Sequence, residues 1–349
     1  METLASQFED AVSNVTISPD KQKLAIAAHT EVRNLLESDA VLREWGVDSI
    51  LIGSYARQTG RHPGKDVDIF LRFTKLSIRD NPSVIYDHVA QLLIRQYGRV
   101  EDGGRVTLQA RSVKVDFGPP SARPDLGFSV DAVPAVPWGE HWGIPARDRT
   151  NWSDANTRWM KTSPVAFADA SAALSTRTAS PTVGDRNAYK PIVRLLRQVR
   201  HTHLGESRPG GLYVEIAAYY VWEASLVSGG SWAELLAASL RQVGIEFTKA
   251  ITDGMADPIL GTSLMPGLSA QQWRTAANLF IDLADKADEA SSSDRCRAAK
   301  IWREILGANE RGQILPLPSG CAADGSAVPR ITAVSAAGPT QARGFALST

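Results

Sequence analysis

The stretch GSYARQTGRHPGKDVDIF (residues 53–70) lies between two apolar runs and decides the fold class. Gly53 and Ser54 end the first run, and Asp66 and Asp68 open the second. On a strand, side chains at positions i and i+2 point to the same face, so the two carboxylates are expected side by side. Like charges this close are unfavourable unless a cation lies between them. The pair therefore predicts a metal site at the start of a strand.

The same stretch also predicts phosphate binding. Mg²⁺ or Mn²⁺ prefers hard oxygen ligands and shares them with substrate phosphates. Two such ions, about 4 Å apart, can activate an attacking oxygen and stabilise a leaving one. This chemistry needs a third carboxylate from a neighbouring strand, and the residues leave both Asp116 and Asp131 open. Gly53 would let the backbone approach a phosphate, Ser54 offers a hydroxyl, and a helix starting at "YARQT" would point its N-terminus at the same anion.

Composition narrows the class of protein. The 349 residues suggest two domains, and the formal net charge of zero argues against a grip on long nucleic acid. Cys296 and Cys321 are too few for a disulfide scaffold and suit a reducing cytoplasm. Neither a signal peptide nor an apolar run of about 20 residues is present, so we expect a cytoplasmic protein without membrane association. Even "LYVEIAAYYVW" is interrupted by Glu215.

The order of patterns predicts an α+β protein, a mixed sheet followed by helices. Residues 20–37 show helical spacing, with Leu24, Ala28, Val32 and Leu35 on one face. Strands are expected within residues 48–54, 65–73, 105–117 and 127–136. Five helices follow within residues 188–204, 212–227, 231–247, 269–290 and 293–307, with start signals at Ser231, Ser269 and Ser293.

Two domains and a C-terminal tail follow from this order. Residues 1–150 are expected to form the sheet core with N-terminal helices, and residues 151–317 a helical domain. Residues 318–349 are rich in Ala, Ser, Gly and Pro without strand or helix period, which predicts a disordered tail.

A row of basic residues lies near the start of the second domain. Arg186, Lys190, Arg194 and Arg197 are spaced by four, four and three, which puts them on one face of a helix. The spacing alone favours an ordinary solvated face, and the alternative is a set of cations that bind the triphosphate of a nucleotide.

Together, "GSYARQTGRHPGKDVDIFL" and "FSVDAVPAVP" resemble the nucleotidyltransferases of the DNA polymerase beta type. Within that superfamily the chain is similar to the bacterial CD-NTases, the relatives of animal cGAS and oligoadenylate synthase. The stretches "HWGIPARDRTNW", "AYKPIVRLLRQVR", "GGLYVEIAAYYVW" and "AAKIWREILG" extend the resemblance over residues 8 to 308 or so. It implies a polymerase-beta-like nucleotidyltransferase core with a mixed β-sheet.

The resemblance also implies site residues. It selects Asp131 as the third metal-binding and catalytic carboxylate beside Asp66 and Asp68, because "VDAVPA" surrounds that acid in the family; Asp116 would then be an ordinary strand residue. It implies nucleotide binding by Gly53 and Ser54 and by a Lys of the basic helix. Its usual position holds Arg197 here, and Lys190 could serve instead. Relatives carry a Ser-aromatic pair where this chain has Gly211 and Leu212, so Tyr213 is expected either to stack on a base or to lie in the core.

The implied activity is cyclic oligonucleotide synthesis. Family members join nucleoside triphosphates (ATP, GTP, UTP or CTP), with two divalent ions, into cyclic di- or trinucleotides. The product activates a separate effector protein in anti-phage (CBASS) defence, and in some relatives the C-terminus binds a regulatory partner.

Two other enzymes and one binding protein fit parts of the pattern. A template-free RNA nucleotidyltransferase of the CCA-adding type shares the motif, but zero net charge argues against it. A nucleotidyltransferase that modifies a small molecule or a protein would need an acceptor besides nucleotides. A non-catalytic nucleotide sensor would not need all three acids.

Overall fold

The computed structural model describes residues 4–64, 66–118, 123 and 126–328. Its sheet contains seven strands: β1 (Val47–Ile52), β2 (Asp66–Phe73), β3 (Val106–Leu108), β4 (Val113–Phe117), β5 (Phe128–Trp138), β6 (His141–Pro145) and β7 (Trp159–Thr162). Five of them follow the order β1-β2-β5-β4-β3, and β6 joins β5 to β7. β2 and β5 are parallel, while the remaining pairs are antiparallel. The predicted mixed sheet is confirmed.

The expected strand at residues 105–117 is in fact a hairpin. β3 and β4 pair antiparallel on either side of a turn, in which the Gln109 amide donates to the Ser112 carbonyl at 3.0 Å. The Ser112 hydroxyl also bonds the Gln109 side-chain oxygen at 2.6 Å. These two local bonds close the turn and divide the apolar run.

Eleven helices accompany the strands in the described ranges: α1 (Ala5–Asn14), α2 (Pro19–Ser38), α3 (Ala40–Glu44), α4 (Gly53–Ala56), α5 (Pro82–Tyr97), α6 (Pro164–Thr176), α7 (Tyr189–Leu204), α8 (Gly211–Glu223), α9 (Trp232–Asp253), α10 (Ala270–Ser292) and α11 (Arg295–Leu306). The last five confirm the five helices expected from the sequence, whereas α6 was not predicted. None of these helices combines the length and apolar character that a membrane span needs.

Helices α2, α3 and α5 pack with the sheet in one apolar core. The predicted helix over residues 20–37 is confirmed, but its buried stripe is rotated from the expected one. Ala25, Ala28, Val32 and Leu36 are buried, and Leu24 is exposed. Buried Lys21, in the first turn of α2, donates to the Gly127 carbonyl at 2.6 Å. This bond directs the start of the buried face toward β5.

Helices α7 to α11 share a second core. Two of the three serines predicted to begin helices do cap a helix N-terminus. Ser231 and Ser269 cap α9 and α10 by accepting hydrogen bonds from backbone N–H groups. At α11 the cap is Asp294 rather than Ser293. The Asp294 carboxylate accepts from both the Cys296 and Arg297 amides, which satisfies two unpaired donors of the first turn.

The chain crosses between the two cores twice. α1 belongs to the helical core, where Phe8 packs edge-on against Trp302, so residues 1–150 do not pack as one unit. After α1 the chain enters the sheet core at α2, and after β7 it returns to the helical core at α6, through Phe167 and Leu174. The sheet itself continues to Thr162, past the expected boundary at residue 150.

Arg186 does not share the helix of the other basic residues. It lies on β9 (Arg186–Asn187), which pairs with β8 (Thr182–Val183) in a short hairpin before α7. Its guanidinium bonds Glu9 on α1 and lies over the Trp232 ring, 5.3 Å from the centroid. The basic stripe on α7 therefore begins at Lys190.

The start of the predicted disordered tail is ordered. After α11, the β10 (Ala308–Asn309) and β11 (Gly312–Gln313) hairpin leads to Pro318, which is buried. Cys321 then forms a disulfide with Cys296 of α11, with the Cα atoms 5.2 Å apart. The sequence analysis did not anticipate this bond, which forms because the segment folds back far enough to bring the two cysteines together. Residues 329–349 of the predicted tail lie outside the described residues.

We expect a chain that ends at Leu317 to be less stable than one that ends at Val328. The shorter chain loses the cross-link, and closing a loop of this size contributes about 2–4 kcal/mol to the free energy of unfolding. Denaturant titration of both chains under oxidising conditions measures the difference. Cys321→Ser in the longer chain separates the cross-link from the packing of residues 318–328. Equal stability of all three would show that the segment contributes nothing.

Candidate active site

The three acids predicted from the sequence lie on the two parallel strands at the middle of the sheet. Asp68 of β2 is directly opposite Asp131 of β5, and Asp66 precedes Asp68 on the same face. The Ser129 hydroxyl donates to one Asp66 oxygen at 3.0 Å and holds that carboxyl in place. Asp116 is on β4 and forms an ion pair with Lys114 at 3.2 Å. Parallel pairing of β2 and β5 thus sets the acids beside one another.

The surroundings of these acids favour a bound cation. Burial raises the pKa of Asp68 to about 6, and the negative charge of Asp66 adds to the effect, against Arg57 and Arg197. Burial, then Asp68 and Asp66, raises the pKa of Asp131 to about 7. One buried oxygen of Asp131 has no hydrogen-bond partner among the residues that the structure describes. A carboxylate with an unsatisfied oxygen and close negative neighbours is suited to binding a metal ion.

The described residues do not form a complete metal cage. Among them, no group of three or more His, Cys, Asp or Glu side chains is close enough to hold an ion. Mg²⁺ commonly binds one or two carboxylates and completes its shell with water and substrate phosphate. Asp68 with Asp66 or Asp131 fits this arrangement, in which the substrate itself supplies the missing ligands.

The loop after β1 brings its glycine against Asp68. Gly53 has φ +71°, a conformation that side chains rarely adopt, and a Cβ added there would lie 1.9 Å from an Asp68 carboxylate oxygen. Glycine is therefore required at this position because a side chain would collide with Asp68. This requirement is separate from the approach of the backbone to a phosphate. The expected helix at "YARQT" is only the four-residue α4, and Gln58 beyond it has φ 60°. So short a helix provides no N-terminal anion site.

A buried ion pair joins this loop to the helical core. Arg57 donates through Nε and Nη2 to the two oxygens of Glu215 on α8, at 2.7 and 3.0 Å. The Thr59 hydroxyl donates to the same carboxylate at 2.5 Å, and Arg197 lies 3.6 Å from it. Burial acts to raise the pKa of Glu215, but the Arg57 charge holds it below its usual value. Both Arg57 and Glu215 are almost fully buried.

The sequence analysis did not predict this ion pair, although the sequence contains one indication of it. Glu215 interrupts an otherwise apolar run, and it was counted only as an argument against a membrane span. A charged residue in a buried helix face needs a partner of opposite charge. No local spacing identifies that partner as Arg57, which lies 158 positions earlier in the chain.

A cavity of about 540 Å³ opens between the sheet and the helices at this point. Gly53, Ser54, Asp66, Asp68 and Arg197 of the sequence-predicted site line it. The cavity adds further cations that the sequence analysis did not single out, Arg57, Arg61 and Arg200. Asp131 lies beside Asp68, outside the lining. A concave site with carboxylates on one side and guanidinium groups on the other suits a metal-bound polyphosphate.

Three of the cations in the cavity donate to backbone oxygens. Arg197 donates to the Thr59 carbonyl at 2.9 Å, Arg61 to the His62 carbonyl at 2.7 Å and Arg200 to the Pro209 carbonyl at 2.8 Å. Burial lowers the pKa of Arg61 to about 10, and the Arg197 charge adds to the effect. Nε of Arg197 is buried and has no hydrogen-bond partner in the described part of the chain. Positive charges therefore concentrate here and leave capacity for an anion.

Two residues expected to bind nucleotide lie elsewhere. Tyr213 is buried in the helical core, packs edge-on against Trp273 at 5.6 Å and donates its hydroxyl to the Pro266 carbonyl. The enclosed position of that ring favours the core alternative over the stacking role. Lys190 lies outside the cavity and donates to the Gln58 side chain at 3.1 Å. Arg197 is the member of the basic stripe that faces the acids.

We expect Glu215→Gln to lower the free energy of unfolding by about 3–5 kcal/mol, because it leaves the buried Arg57 charge without its partner. Glu304→Gln is the matched control, since Glu304 pairs with Lys300 at 2.6 Å on the surface and such pairs contribute at most about 1 kcal/mol. Denaturant unfolding of both variants measures the difference. Similar losses in the two variants would contradict the structural role of the buried pair.

We expect Gly53→Ala to reduce kcat/KM at least about 100-fold, because the new Cβ displaces Asp68 and small misplacements of reacting groups have effects of this size. Ser54→Ala is the companion variant. It removes one hydroxyl contact to phosphate and should lower kcat/KM about 10- to 150-fold, mainly through KM. Steady-state kinetics with nucleoside triphosphates distinguishes them. Full activity of Gly53→Ala would contradict the close approach of Gly53 to Asp68.

Comparisons with known proteins concern the family and the fold of this chain. Residues 1–173 match the family model of the SMODS domain, the Second Messenger Oligonucleotide or Dinucleotide Synthetase domain. Cyclic AMP-AMP-AMP synthase of an Acinetobacter species is 24% identical over 318 residues, which cover 87% of this chain and 84% of the relative.

Solved structures share the fold. The Bradyrhizobium diazoefficiens CD-NTase CdnG, in complex with GTP, matches with a TM-score of 0.64 at 16% identity, over 88% of this chain and 95% of that one. CdnC of E. coli MS115-1, in its HORMA-deltaN complex, matches with a TM-score of 0.60 at 17% identity, over 87% and 96%. With the paired acids, these findings identify the family: residues 1–173 belong to the Second Messenger Oligonucleotide or Dinucleotide Synthetase domain family, and the chain shares the fold of the CD-NTases.

Proposed function

We propose that this chain joins nucleoside triphosphates, ATP among them, into a cyclic di- or trinucleotide at the cavity lined by Asp66 and Asp68. The observation that carries the proposal is the register of β2 and β5, which sets Asp68 opposite Asp131 beside a cavity rich in arginine. ATP is favoured by the Acinetobacter relative, whose name describes a product made of three AMP units.

The three acids have different parts in the proposal. Asp66 and Asp68 face the cavity and would hold two divalent ions together with the triphosphate, and Asp131 would share one of these ions with Asp68. Mg²⁺ or Mn²⁺, when bound, supplies Lewis-acid stabilisation of the attacking and leaving oxygens. Ser129 keeps one Asp66 oxygen engaged, which fixes the orientation of that carboxylate before substrate arrives.

The arginines neutralise the triphosphate of the donor nucleotide. Arg57 and then Arg197 act to lower the pKa of Asp68, and Arg61 and Arg200 widen the positive surface of the cavity. The family position that usually holds Lys is Arg197 here. A planar guanidinium can donate two parallel hydrogen bonds to phosphate oxygens, whereas an ammonium acts as a point charge.

In the cell, the product would serve as an alarm signal in anti-phage (CBASS) defence and would act on a separate effector protein. The cytoplasm is the expected location, where the nucleoside triphosphates are present. A regulatory partner of the C-terminus is also part of the proposal, and most of the segment concerned, residues 329–349, lies outside the described residues.

Incubation of the purified protein with all four nucleoside triphosphates and Mg²⁺ or Mn²⁺ tests the proposed reaction. Phosphatase treatment followed by mass spectrometry should reveal a resistant cyclic product, and its mass identifies the bases and the ring size. We expect Asp68→Asn to abolish the product while retaining the melting temperature, because the variant loses a metal ligand without a change in volume.

Asp116→Asn is the matched control, since Asp116 lies on the neighbouring strand but pairs with Lys114. It should retain synthesis. A chelator in excess should abolish synthesis by the wild type. Full activity of Asp68→Asn, or synthesis in excess chelator, would contradict the two-metal mechanism. A product that appears only with added RNA or a protein acceptor would instead support the alternative nucleotidyltransferases.

A further inference from the structure

A second cavity of about 540 Å³ lies near the loop after β1 and is lined by residues of α1, the start of α7 and Gln58. Its lining residues are Glu9, Val12, Ser13, Thr16, Gln58, Ser175, Arg186, Asn187, Lys190, Pro191 and Arg194. None of these residues lines the catalytic cavity. Helix α7 therefore serves both cavities, with Lys190 and Arg194 on one and Arg197 and Arg200 on the other.

The second cavity contains positive charge without matching negative charge. Lys190 and Arg194 are one helical turn apart, and like charges at this spacing repel each other. Neither forms an ion pair with a carboxylate of the described residues; Lys190 contacts only the neutral side chain of Gln58, at 3.1 Å. The Glu9 carboxylate is already occupied by the Arg186 guanidinium and by the Trp232 indole N–H. Burial and the neighbouring Arg194 charge lower the pKa of Lys190.

Two buried polar atoms in this lining have no hydrogen-bond partner within the described part of the chain. They are Nε of Arg194 and Oγ of Ser175. Buried polar groups are rarely left unpaired, and a bound ligand is one way in which such groups are satisfied. A guanidinium donor, an ammonium donor and a hydroxyl in one concave site match the oxygens of a phosphate group.

We propose that this second cavity binds a small phosphate-bearing ligand, such as a nucleoside monophosphate or pyrophosphate, at a site separate from the catalytic one. A long nucleic acid is a poorer match, because the cavity is concave, Glu9 stands in its lining and the net charge of the chain is zero. The volume is within the range of about 300–1,000 Å³ that small-molecule sites occupy.

The ligand would be coupled to the catalytic loop through Gln58. This residue lies between Arg57 and Thr59, both of which bond Glu215 at the catalytic cavity. Its positive φ shows that the backbone there is held away from ordinary conformations. A phosphate that engages Lys190 competes with the Lys190–Gln58 hydrogen bond, so occupancy of the second cavity reaches the loop that carries Gly53 and Ser54.

Calorimetric titration of the protein in chelator, with adenosine monophosphate and separately with pyrophosphate, tests the site without turnover, so failure of the proposed synthesis would not affect it. We expect Lys190→Gln/Arg194→Gln to lose a class of binding sites or to bind at least tenfold more weakly. Lys190→Arg/Arg194→Lys keeps both charges and should restore binding. Arg200→Gln, in the catalytic cavity, should keep the class of sites that the double Gln variant loses.

The two probes distinguish the sources of the phosphate. Tighter binding of adenosine monophosphate assigns a nucleoside phosphate, and tighter binding of pyrophosphate assigns an inorganic anion. Unchanged binding in the double Gln variant, or loss in Arg200→Gln alone, would overturn the site. Hydrogen exchange of residues 53–60 should slow when the ligand binds to the wild type but not to the double Gln variant. Binding without that change would overturn the coupling to the loop.

Discussion

The buried pair of Arg57 and Glu215 is the interaction on which the arrangement of the site depends. It connects the loop after β1 to α8, and so fixes the sheet and the helical core against each other at the floor of the catalytic cavity. Taking two charges out of water is costly, and the cost is offset only when geometry and additional hydrogen bonds are good. Here Arg57 donates to both carboxylate oxygens, and the Thr59 hydroxyl occupies a further acceptor position.

This pair also sets the electrostatics around the acids. The Glu215 carboxylate balances Arg57 and draws Arg197 to within 3.6 Å, so both guanidinium groups are held near Asp68 without a direct salt bridge to it. Asp68 therefore remains available to a cation, while the arginines remain near enough to meet a phosphate. A site that must bind a metal and a polyanion together needs this separation of opposite charges.

The sequence predicted the parts of the site that depend on local pattern. Asp66 and Asp68 follow from strand periodicity, and the position of Gly53 follows from the strand end. The resemblance supplied Asp131, whose placement opposite Asp68 depends on strand pairing across more than sixty residues. Long-range partners such as Arg57 and Glu215 leave no periodic trace, and the Cys296–Cys321 bond depended on the path of a segment that composition alone described as disordered. The prediction that Arg186 lies on the basic helix is wrong because Arg186 belongs to the β8–β9 hairpin, which ends just before α7. The spacing of the basic residues alone does not distinguish this hairpin from a first helical turn.

The two crossings of the chain between its cores have a geometric consequence. Ile17, between α1 and α2, and Ser163, between β7 and α6, both line the catalytic cavity. The connections at Ile17 and Ser163 define a line between the sheet core and the helical core. A rotation of one core about that line is the relative motion that distorts these connections least. Because both connections lie at the wall of the cavity, such a rotation would change the distance between the carboxylates of β2 and the guanidinium groups of α7, and the Arg57–Glu215 pair opposes it.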